Sequence, residues 1–220
     1  TTDGAKKIAE SYNVELMEVL TGFKYIGEKM QGFEENKDKT YLFGFEESYG
    51  YLAGDFARDK DAVVASMLIA EMTLYYKEKG KSLYDALIDL YEKYGFFKET
   101  LVSFELKGKE GAEKIAKCID SLRNEELVEI NGTKVSVKYD YKLSVEEDVT
   151  NGNKKDINLP KSNVLKFVLE NGSWFVVRPS GTEPKMKAYV AVQGNGLKDA
   201  DDKLESFKSE VVKLVNEKLS

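Results

Sequence analysis

Histidine is absent from this sequence of 220 residues, and cysteine, arginine and proline are scarce. Without an imidazole, the chain cannot form a Ser-His-Asp or Cys-His nucleophile, nor a zinc site with histidine ligands. Any proton transfer would fall to lysines, carboxylates, tyrosines or the single cysteine. That residue, Cys118, lies on the apolar side of a helical pattern, which indicates a core position rather than a nucleophile.

Long hydrophobic runs are missing as well. No stretch approaches the ~20 apolar residues of a membrane span, and the opening residues TTDGAKK lack the apolar stretch of a signal peptide. We therefore expect a cytoplasmic protein that does not bind a membrane. The net charge of −6 argues against general nucleic-acid binding, because such binding requires a basic face.

The pattern of apolar residues changes near residues 96–100, which predicts two domains, 1–98 and 99–220. In the first domain, predicted helices alternate with two strand candidates. This alternation is typical of a Rossmann-like α/β domain with a mostly parallel sheet. The predicted helices are 3–12, 23–31, 61–79 and one capped by Ser82 that ends at Gly95, and the strand candidates are 14–20 and 41–45.

The second, smaller domain has several β segments without helices between them. Asn171-Gly172 is a strong hairpin signal, and residues 148–163 look like a long polar loop. The pattern predicts an α+β domain, with an antiparallel sheet and helices on one side. Its predicted strands are 101–106, 135–141, 164–169, 173–177 and 186–192, and its predicted helices are 111–123 and 199–219.

Residues 178–185, RPSGTEPK, are the first candidate for binding chemistry. They contain one of only three arginines and two of only three prolines. An arginine fork, two hydroxyls, a glycine backbone and a lysine charge all suit an anion, and the two prolines limit the entropy lost on binding. The alternative is a rigid surface turn whose residues pair locally. The candidate anion ligands are Arg178, Ser180, Gly181, Thr182 and Lys185.

Residues 43–50, FGFEESYG, are the second candidate, because they follow a predicted strand of an α/β domain. Their acids, hydroxyl and aromatic ring suit a polyhydroxylated ligand, although an ordinary polar loop is the alternative. Thr21 and Gly22 follow the other strand candidate, at the same predicted edge. Lys60 stands at the start of a helix, where a lysine is mildly unfavourable and so hints at a function.

Together these segments resemble the C-terminal half of the α-D-phosphohexomutases, the phosphoglucomutase/phosphomannomutase family. RPSGTEPK resembles the phosphate-binding loop of the family's fourth domain. GFEESYG resembles the sugar-binding loop of the third domain, and Glu46 and Ser48 match the residues that bind sugar hydroxyls there. Thr21, Gly22 and Lys60 resemble third-domain contacts on the substrate. Tyr49-Gly50 stands where many members have Gly-His, which fits a phosphoglucomutase-like branch.

The resemblance implies an isomerase that interconverts hexose 1-phosphate and hexose 6-phosphate, through a phosphoserine and a hexose 1,6-bisphosphate, with Mg²⁺ as cofactor. The sequence lacks the family's serine loop and its aspartate-rich magnesium loop, so no catalytic residue and no metal ligand is assigned here. Because it opens directly into a helix, we expect the third domain to lack its first strand.

We expect a fragment that binds hexose phosphate weakly, is inactive alone and has the N-terminal domains of the same enzyme as its partner. The alternatives are a non-catalytic phosphosugar-binding module and a purely structural interaction domain.

Overall fold

The computed structural model of the chain describes residues 1–181 and 183–220. These residues form two compact units, which we call unit 1, residues 3–94 with Thr1, and unit 2, residues 95–220 with Thr2. Thr182, one of the predicted anion ligands, lies outside the described residues. Along the rest of the chain, no helix combines the length and the apolar character that crossing a membrane requires.

Unit 1 consists of helices and one small hairpin. The hairpin strands are antiparallel and pair Phe43 with Ala53 and Phe45 with Tyr51. A small core of Phe23, Met30 and Leu52 lies beneath them. The elements of the unit are α1 (Gly4–Ser11), α2 (Phe23–Asn36), β1 (Phe43–Phe45), β2 (Tyr51–Ala53), α3 (Ala62–Glu78) and α4 (Leu83–Tyr94).

The parallel sheet predicted for this part of the chain is wrong, because its described residues contain only the antiparallel β1–β2 pair. Residues 14–20, predicted as a strand, adopt no regular structure. A strand requires a hydrogen-bonded neighbour, and this segment has none in unit 1. Val14, Leu16 and Met17 are each more than a third exposed, so the apolar run is not buried as a sheet strand would be.

The ends of α3 and α4 follow the capping signals in the sequence. The carboxylate of Asp61 accepts hydrogen bonds from the amides of Val63 and Val64, both at 2.9 Å. The Ser82 amide donates to the Asp85 carboxylate at 2.8 Å, and the Asp85 amide donates to the Ser82 hydroxyl at 3.1 Å. Both caps satisfy amides that a helix leaves without intrahelical partners.

Unit 2 contains an eight-stranded sheet in the order β3-β10-β9-β8-β5-β6-β7, with β4 paired to β5. Every pairing described is antiparallel. Two helices cover one face, as the sequence predicts, so the mixed α/β class is confirmed. The elements are β3 (Phe96–Glu105), α5 (Gly108–Asn124), β4 (Glu129–Ile130), β5 (Thr133–Asp140), β6 (Val145–Asp148), β7 (Lys154–Asp156), β8 (Leu165–Leu169), β9 (Trp174–Pro179), β10 (Lys185–Gly194) and α6 (Leu197–Leu219).

The core of unit 2 is large and continuous. Phe167 and Phe175 stack at 4.7 Å between ring centroids, and Phe207 of α6 meets Phe175 edge-on at 6.2 Å. Cys118 of α5 is fully buried, and burial raises the pKa of its thiol to about 11. A protonated thiol in this position packs as a small apolar side chain, which supports the predicted core position.

A buried ion pair attaches the end of α5 to the sheet. The Nε atom of Arg123 donates to Asp140 at 2.9 Å, and the two side chains are each only 7% exposed. The other guanidinium nitrogens donate to Asp120 and Asn163, both at 2.6 Å. Because the Arg123 side chain bonds to all three partners, this cluster is structural.

Candidate functional site

The segment predicted to bind an anion connects β9 to β10 in unit 2. The Ser180 amide donates to the Lys185 carbonyl at 2.7 Å, and the Lys185 amide donates to the Glu183 carbonyl at 2.7 Å. The Ser180 hydroxyl accepts from the Glu183 amide at 3.3 Å. Gly181 is exposed, and a Cβ atom there would meet nothing within 4 Å. The described residues of the segment therefore hydrogen-bond to one another compactly, and Gly181 faces solvent.

Arg178 lies at the base of this turn, at the end of β9. Its Nε atom is buried and, among residues 1–181 and 183–220, has no hydrogen-bond partner. Among the residues that the structure describes, no carboxylate forms an ion pair with Arg178. A buried donor without a partner is costly, and more so when it is charged. The arginine is thus a charged donor in need of an acceptor, as an anion site requires.

Lys185, the other predicted cation, has partners of its own. Its ammonium lies 3.3 Å from a carboxylate oxygen of Glu105 and 3.2 Å from one of Glu183. The hydrogen bond to Glu183, followed by that to Glu105, raises the pKa of Lys185 above its usual value. Two carboxylates therefore offset the positive charge of Lys185, which the sequence predicts to bind an anion.

The second candidate segment forms the turn between β1 and β2 in unit 1. The Glu46 amide donates to the Gly50 carbonyl at 3.0 Å, which closes the turn. Glu46 keeps only 16% of its side chain exposed, whereas Ser48 is exposed. Tyr49 is 86% exposed and has a left-handed φ of 63°. The Glu46 carboxylate thus lies against the fold, and the middle of the turn faces solvent.

Lys60, in the loop after β2, lies next to this turn. Its ammonium lies 3.9 Å from the Glu46 carboxylate and 2.9 Å from that of Asp59. The same atom lies 5.3 Å from the ring centroid of Phe23, a favourable position for a cation. The hydrogen bond with Asp59 raises the pKa of Lys60 and lowers that of Asp59. The structure thus brings together two of the predicted sugar ligands, Glu46 and Lys60.

Thr21 and Gly22 stand immediately before this cluster in the chain. Gly22 precedes α2 with a φ of 127°, a conformation that side chains disfavour, and Thr21 is exposed. Phe23, the next residue, supplies the ring beneath Lys60. In the part of the chain that the structure describes, no hydrogen bond joins Thr21 or Ser48 to Glu46 or Lys60.

Sequence reasoning missed two residues of this cluster, Phe23 and Gly50. A Cβ atom at Gly50 would lie 2.4 Å from Cδ of Lys60 and 2.6 Å from the Glu46 carboxylate. The glycine therefore leaves room for Lys60 to cross the turn beside Glu46. A glycine directly after a polar turn is a visible signal of such a close approach, but the identity of the approaching residue is not visible.

A metal site requires several ligating side chains close together. Over residues 1–181 and 183–220, no three acidic or cysteine side chains come together in a way that could hold a metal ion. The residues described here therefore do not fit a magnesium site.

Two family models match the chain. The model described as phosphoglucomutase/phosphomannomutase, alpha/beta/alpha domain III, matches residues 1–94. The model described as the C-terminal domain of the same family matches residues 124–211. Together they account for most of the sequence and for both candidate turns.

Curated relatives and a solved structure agree with these matches. The chain is 35% identical to a phosphoglucomutase of Staphylococcus saprophyticus over 94% of its length and 37% of the relative's. It is 39% identical to a phosphoglucomutase of Staphylococcus aureus, over 92% of this chain and 36% of the relative. The chain thus spans about a third of these relatives. The fold also resembles the open form of pp63/parafusin, a phosphoglucomutase from Paramecium, with a TM-score of 0.59, 18% identity and coverage of 97% of this chain and 35% of that one.

Proposed function

Because the chain belongs to the phosphoglucomutase/phosphomannomutase family, we propose that it is the substrate-binding part of a mutase that interconverts hexose 1-phosphate and hexose 6-phosphate. Residues 1–98 would form the sugar-binding domain, and residues 99–220 the phosphate-binding domain. The observation that carries this proposal is the buried Nε of Arg178 in the β9–β10 connection, which has no hydrogen-bond partner among the described residues.

The β9–β10 turn supplies the groups that a phosphate requires. Arg178 offers a forked cation, and phosphate matches such a fork with two parallel hydrogen bonds. Ser180 adds a hydroxyl, and the exposed backbone at Gly181 is open to a ligand. Thr182, which lies outside the described residues, would add a second hydroxyl.

The β1–β2 turn supplies groups that suit the sugar. An ionised Glu46 only accepts hydrogen bonds, so it can hold the hydroxyls of a hexose. Lys60, beside it, has three N–H donors, one of which already bonds to Asp59. Ser48 adds an exposed hydroxyl. Thr21 and Gly22 remain proposed contacts on the same substrate, because they lead directly into Phe23 beneath Lys60.

The complete mutase would use a phosphoserine and Mg²⁺, with hexose 1,6-bisphosphate as the intermediate. Among residues 1–181 and 183–220, no group of side chains could bind a metal ion. The role of these residues is to bind and orient the substrate, and the N-terminal domains of the same enzyme are the expected partner. Carbohydrate metabolism of this kind suits a cytoplasmic location, which we also propose.

Calorimetric titration of the purified chain with glucose 1-phosphate and glucose 6-phosphate tests the binding role. We expect weak binding, and Arg178→Gln should reduce the affinity by at least about tenfold, because a charge-assisted contact is worth about 1.5–3 kcal/mol. Arg58→Gln is the matched control, since Arg58 already pairs with Glu34. No binding by the unaltered chain, or an equal loss in both variants, would overturn the proposal.

A mutase assay on the same sample tests the expected inactivity. Without the phosphoserine loop, the chain should show no sustained conversion of glucose 1-phosphate to glucose 6-phosphate. Turnover that scales with the concentration of this chain would contradict the assignment of the chemistry to the missing part of the enzyme.

A further inference from the structure

The sequence contains four Asn-Gly steps, at residues 131–132, 151–152, 171–172 and 195–196. In such a step the glycine nitrogen can attack the side-chain carbonyl carbon of the asparagine, and the side-chain amide leaves with the glycine proton as ammonia. Water then opens the resulting succinimide to aspartate or isoaspartate. Glycine favours the attack because it has no Cβ atom to hinder it. All four asparagines are exposed, so the local hydrogen bonds decide which of them reacts.

Two of the four steps are restrained by their turns. The Gly152 amide donates to the Asp148 carbonyl at 2.8 Å, and the Gly172 amide donates to the Leu169 carbonyl at 2.9 Å. In both turns the asparagine side-chain oxygen also accepts a hydrogen bond from the amide two residues later, at 2.9 Å. These bonds must break before the glycine nitrogen can reach the side-chain carbon, so both steps should react slowly.

The third step, Asn131-Gly132, is the two-residue turn between β4 and β5, closed by the pairing of Ile130 with Thr133. Both turn residues have left-handed φ angles, of 52° and 69°. The Ser206 hydroxyl donates to the side-chain oxygen of Asn131 at 3.1 Å. Because ring closure requires rotation of both the backbone and the side chain of Asn131, the strand pairing and this hydrogen bond oppose it.

The fourth step, Asn195-Gly196, lies between β10 and α6, where the described structure restrains it least. Over residues 1–181 and 183–220, neither the Asn195 side chain nor the Gly196 amide makes a hydrogen bond. The backbone amide of Asn195 donates to the Asp199 carboxylate at 2.7 Å, which holds the main chain but lets the side chain rotate. A Cβ atom at Gly196 would meet nothing within 4 Å, so the nitrogen is also open to approach.

We propose that Asn195 is a site of spontaneous deamidation, which converts it to aspartate or isoaspartate faster than the other three Asn-Gly steps react. Isoaspartate carries the main chain through the former side-chain carbon, so it lengthens the connection between β10 and α6. This connection is tight, because a Cβ atom at Gly194 would lie 2.4 Å from the Ala200 amide. Deamidation therefore loosens α6, whose Phe207 and Val211 belong to the core of unit 2.

Peptide mass mapping of the full 220-residue chain during incubation at mildly alkaline pH measures the rate at each step. We expect Asn195 to react at least about tenfold faster than Asn151 and Asn171, because their glycine nitrogens must first give up a hydrogen bond. In urea the four rates should converge, since the folded structure no longer distinguishes them. An equal or higher rate at any of the other three steps in the folded chain, or unchanged rate ratios in urea, would overturn the proposal.

Gly196→Ala and Gly32→Ala form the matched pair of variants, because a Cβ atom meets nothing within 4 Å at either position. Gly196 has an extended φ of −174°, which alanine adopts readily, so the variant should fold normally. We expect Gly196→Ala to slow deamidation of Asn195 by at least about tenfold, because a Cβ atom on the attacking residue raises the barrier. Gly32→Ala should leave the rate unchanged. Equal rates in the two variants would contradict attack by the Gly196 nitrogen.

Asn195→Asp separates the new charge from the change in the backbone. A carboxylate there is attracted to the N-terminus of α6 and repelled by Asp199, and the two effects oppose each other. We therefore expect Asn195→Asp to melt at the same temperature as the fresh chain, and an incubated sample rich in isoaspartate to melt lower. Incubated Gly196→Ala should keep its melting temperature. If the incubated chain melts like the fresh one, or Asn195→Asp melts as low as the incubated chain, the loosening of α6 is wrong.

Discussion

The two units use their apolar residues very differently. In unit 2, α5 and α6 bury regular stripes, including Ile115, Cys118, Val211 and Val215, against the sheet. In unit 1, α3 buries none of its residues, although its sequence is apolar on all sides. Val63 and Met67 of α3 are 80% and 53% exposed.

A helix that is apolar all round is normally buried. The sheet and helices of unit 2 thus bury a large core between them. In unit 1, by contrast, the apolar side chains of α3 are left exposed by the rest of the unit. An exposed surface of this kind marks a place of interaction. The stability of the two units should therefore respond differently to substitution.

The largest effect is expected in the core of unit 2. Phe207→Ala removes a ring that is 2% exposed and packs on Phe175. Because the neighbours relax only partly around the cavity, we expect a loss of about 3–5 kcal/mol in the free energy of unfolding. Urea unfolding followed by the fluorescence of Trp174, the single tryptophan, measures it. The matched control is Leu143→Ala, at an exposed site of the same unit, which should change stability by less than about 0.5 kcal/mol.

A smaller effect is expected from the core of unit 1. Leu52→Ala removes a side chain that is 1% exposed and packs with Phe23 and Met30. Because Leu52 has so few core neighbours, they can move into the cavity. We therefore expect a loss of about 2 kcal/mol in the free energy of unfolding. Hydrogen exchange of the α2 amides measures it. A shift of the Trp174 transition by the same amount would show that the two units unfold together, which would contradict their separate stabilities.

Gly50→Ala should change the site more than the stability. The new Cβ atom would meet Cδ and Cγ of the Lys60 side chain and the Glu46 carboxylate. Because both side chains are flexible and can move aside, we expect a loss of only about 1 kcal/mol. Lys60 should leave the Phe23 ring, and NMR would show this as a change in the ring-current shift of its side-chain protons. Gly32→Ala on α2, where a Cβ atom meets nothing, should leave these signals in place. Unmoved Lys60 signals in Gly50→Ala would refute the positioning role of the glycine.

The smallest effect is expected on the exposed face of α3. Met67→Lys should change stability by less than about 0.5 kcal/mol, as exposed surface substitutions usually do, whereas Val211→Lys in the core of unit 2 should prevent folding. Thermal unfolding and sedimentation measure both. If Met67→Lys costs more than about 2 kcal/mol or changes the sedimentation, this face is already covered in solution.

The sequence predicts local structure well wherever a single residue determines it. Asp61 caps α3, and Gly80 follows it with a φ of 71°, so the helix was predicted to within one residue at each end. The strand predicted at residues 14–20 is wrong, because an apolar run forms a strand only when a neighbouring strand pairs with it. β3 begins at Phe96, not at the predicted Leu101, because its pairing with β10 extends it.

The candidate site likewise has features that local sequence predicts and features that depend on strand pairing. The scarcity of arginine and proline singled out residues 178–185 without any structural information. The ion pair between Lys185 and Glu105 is not visible in sequence, since it depends on the register between two strands that are far apart along the chain. The same register brings Lys187 opposite Arg178. The roles of the individual site residues remain predictions that the titrations above address.

The pairing of β3 also has a consequence for synthesis on the ribosome. β3 is the first strand of unit 2 to be made, but its only partner in the described sheet is β10, with Phe96 opposite Gly194. At ~5–20 residues per second, an emerging chain keeps this strand unpaired for several seconds. Contacts so distant in sequence also slow folding. Until β10 is made, residues 96–105 therefore expose unpaired backbone N–H and C=O groups, which chaperones can bind and through which chains can aggregate.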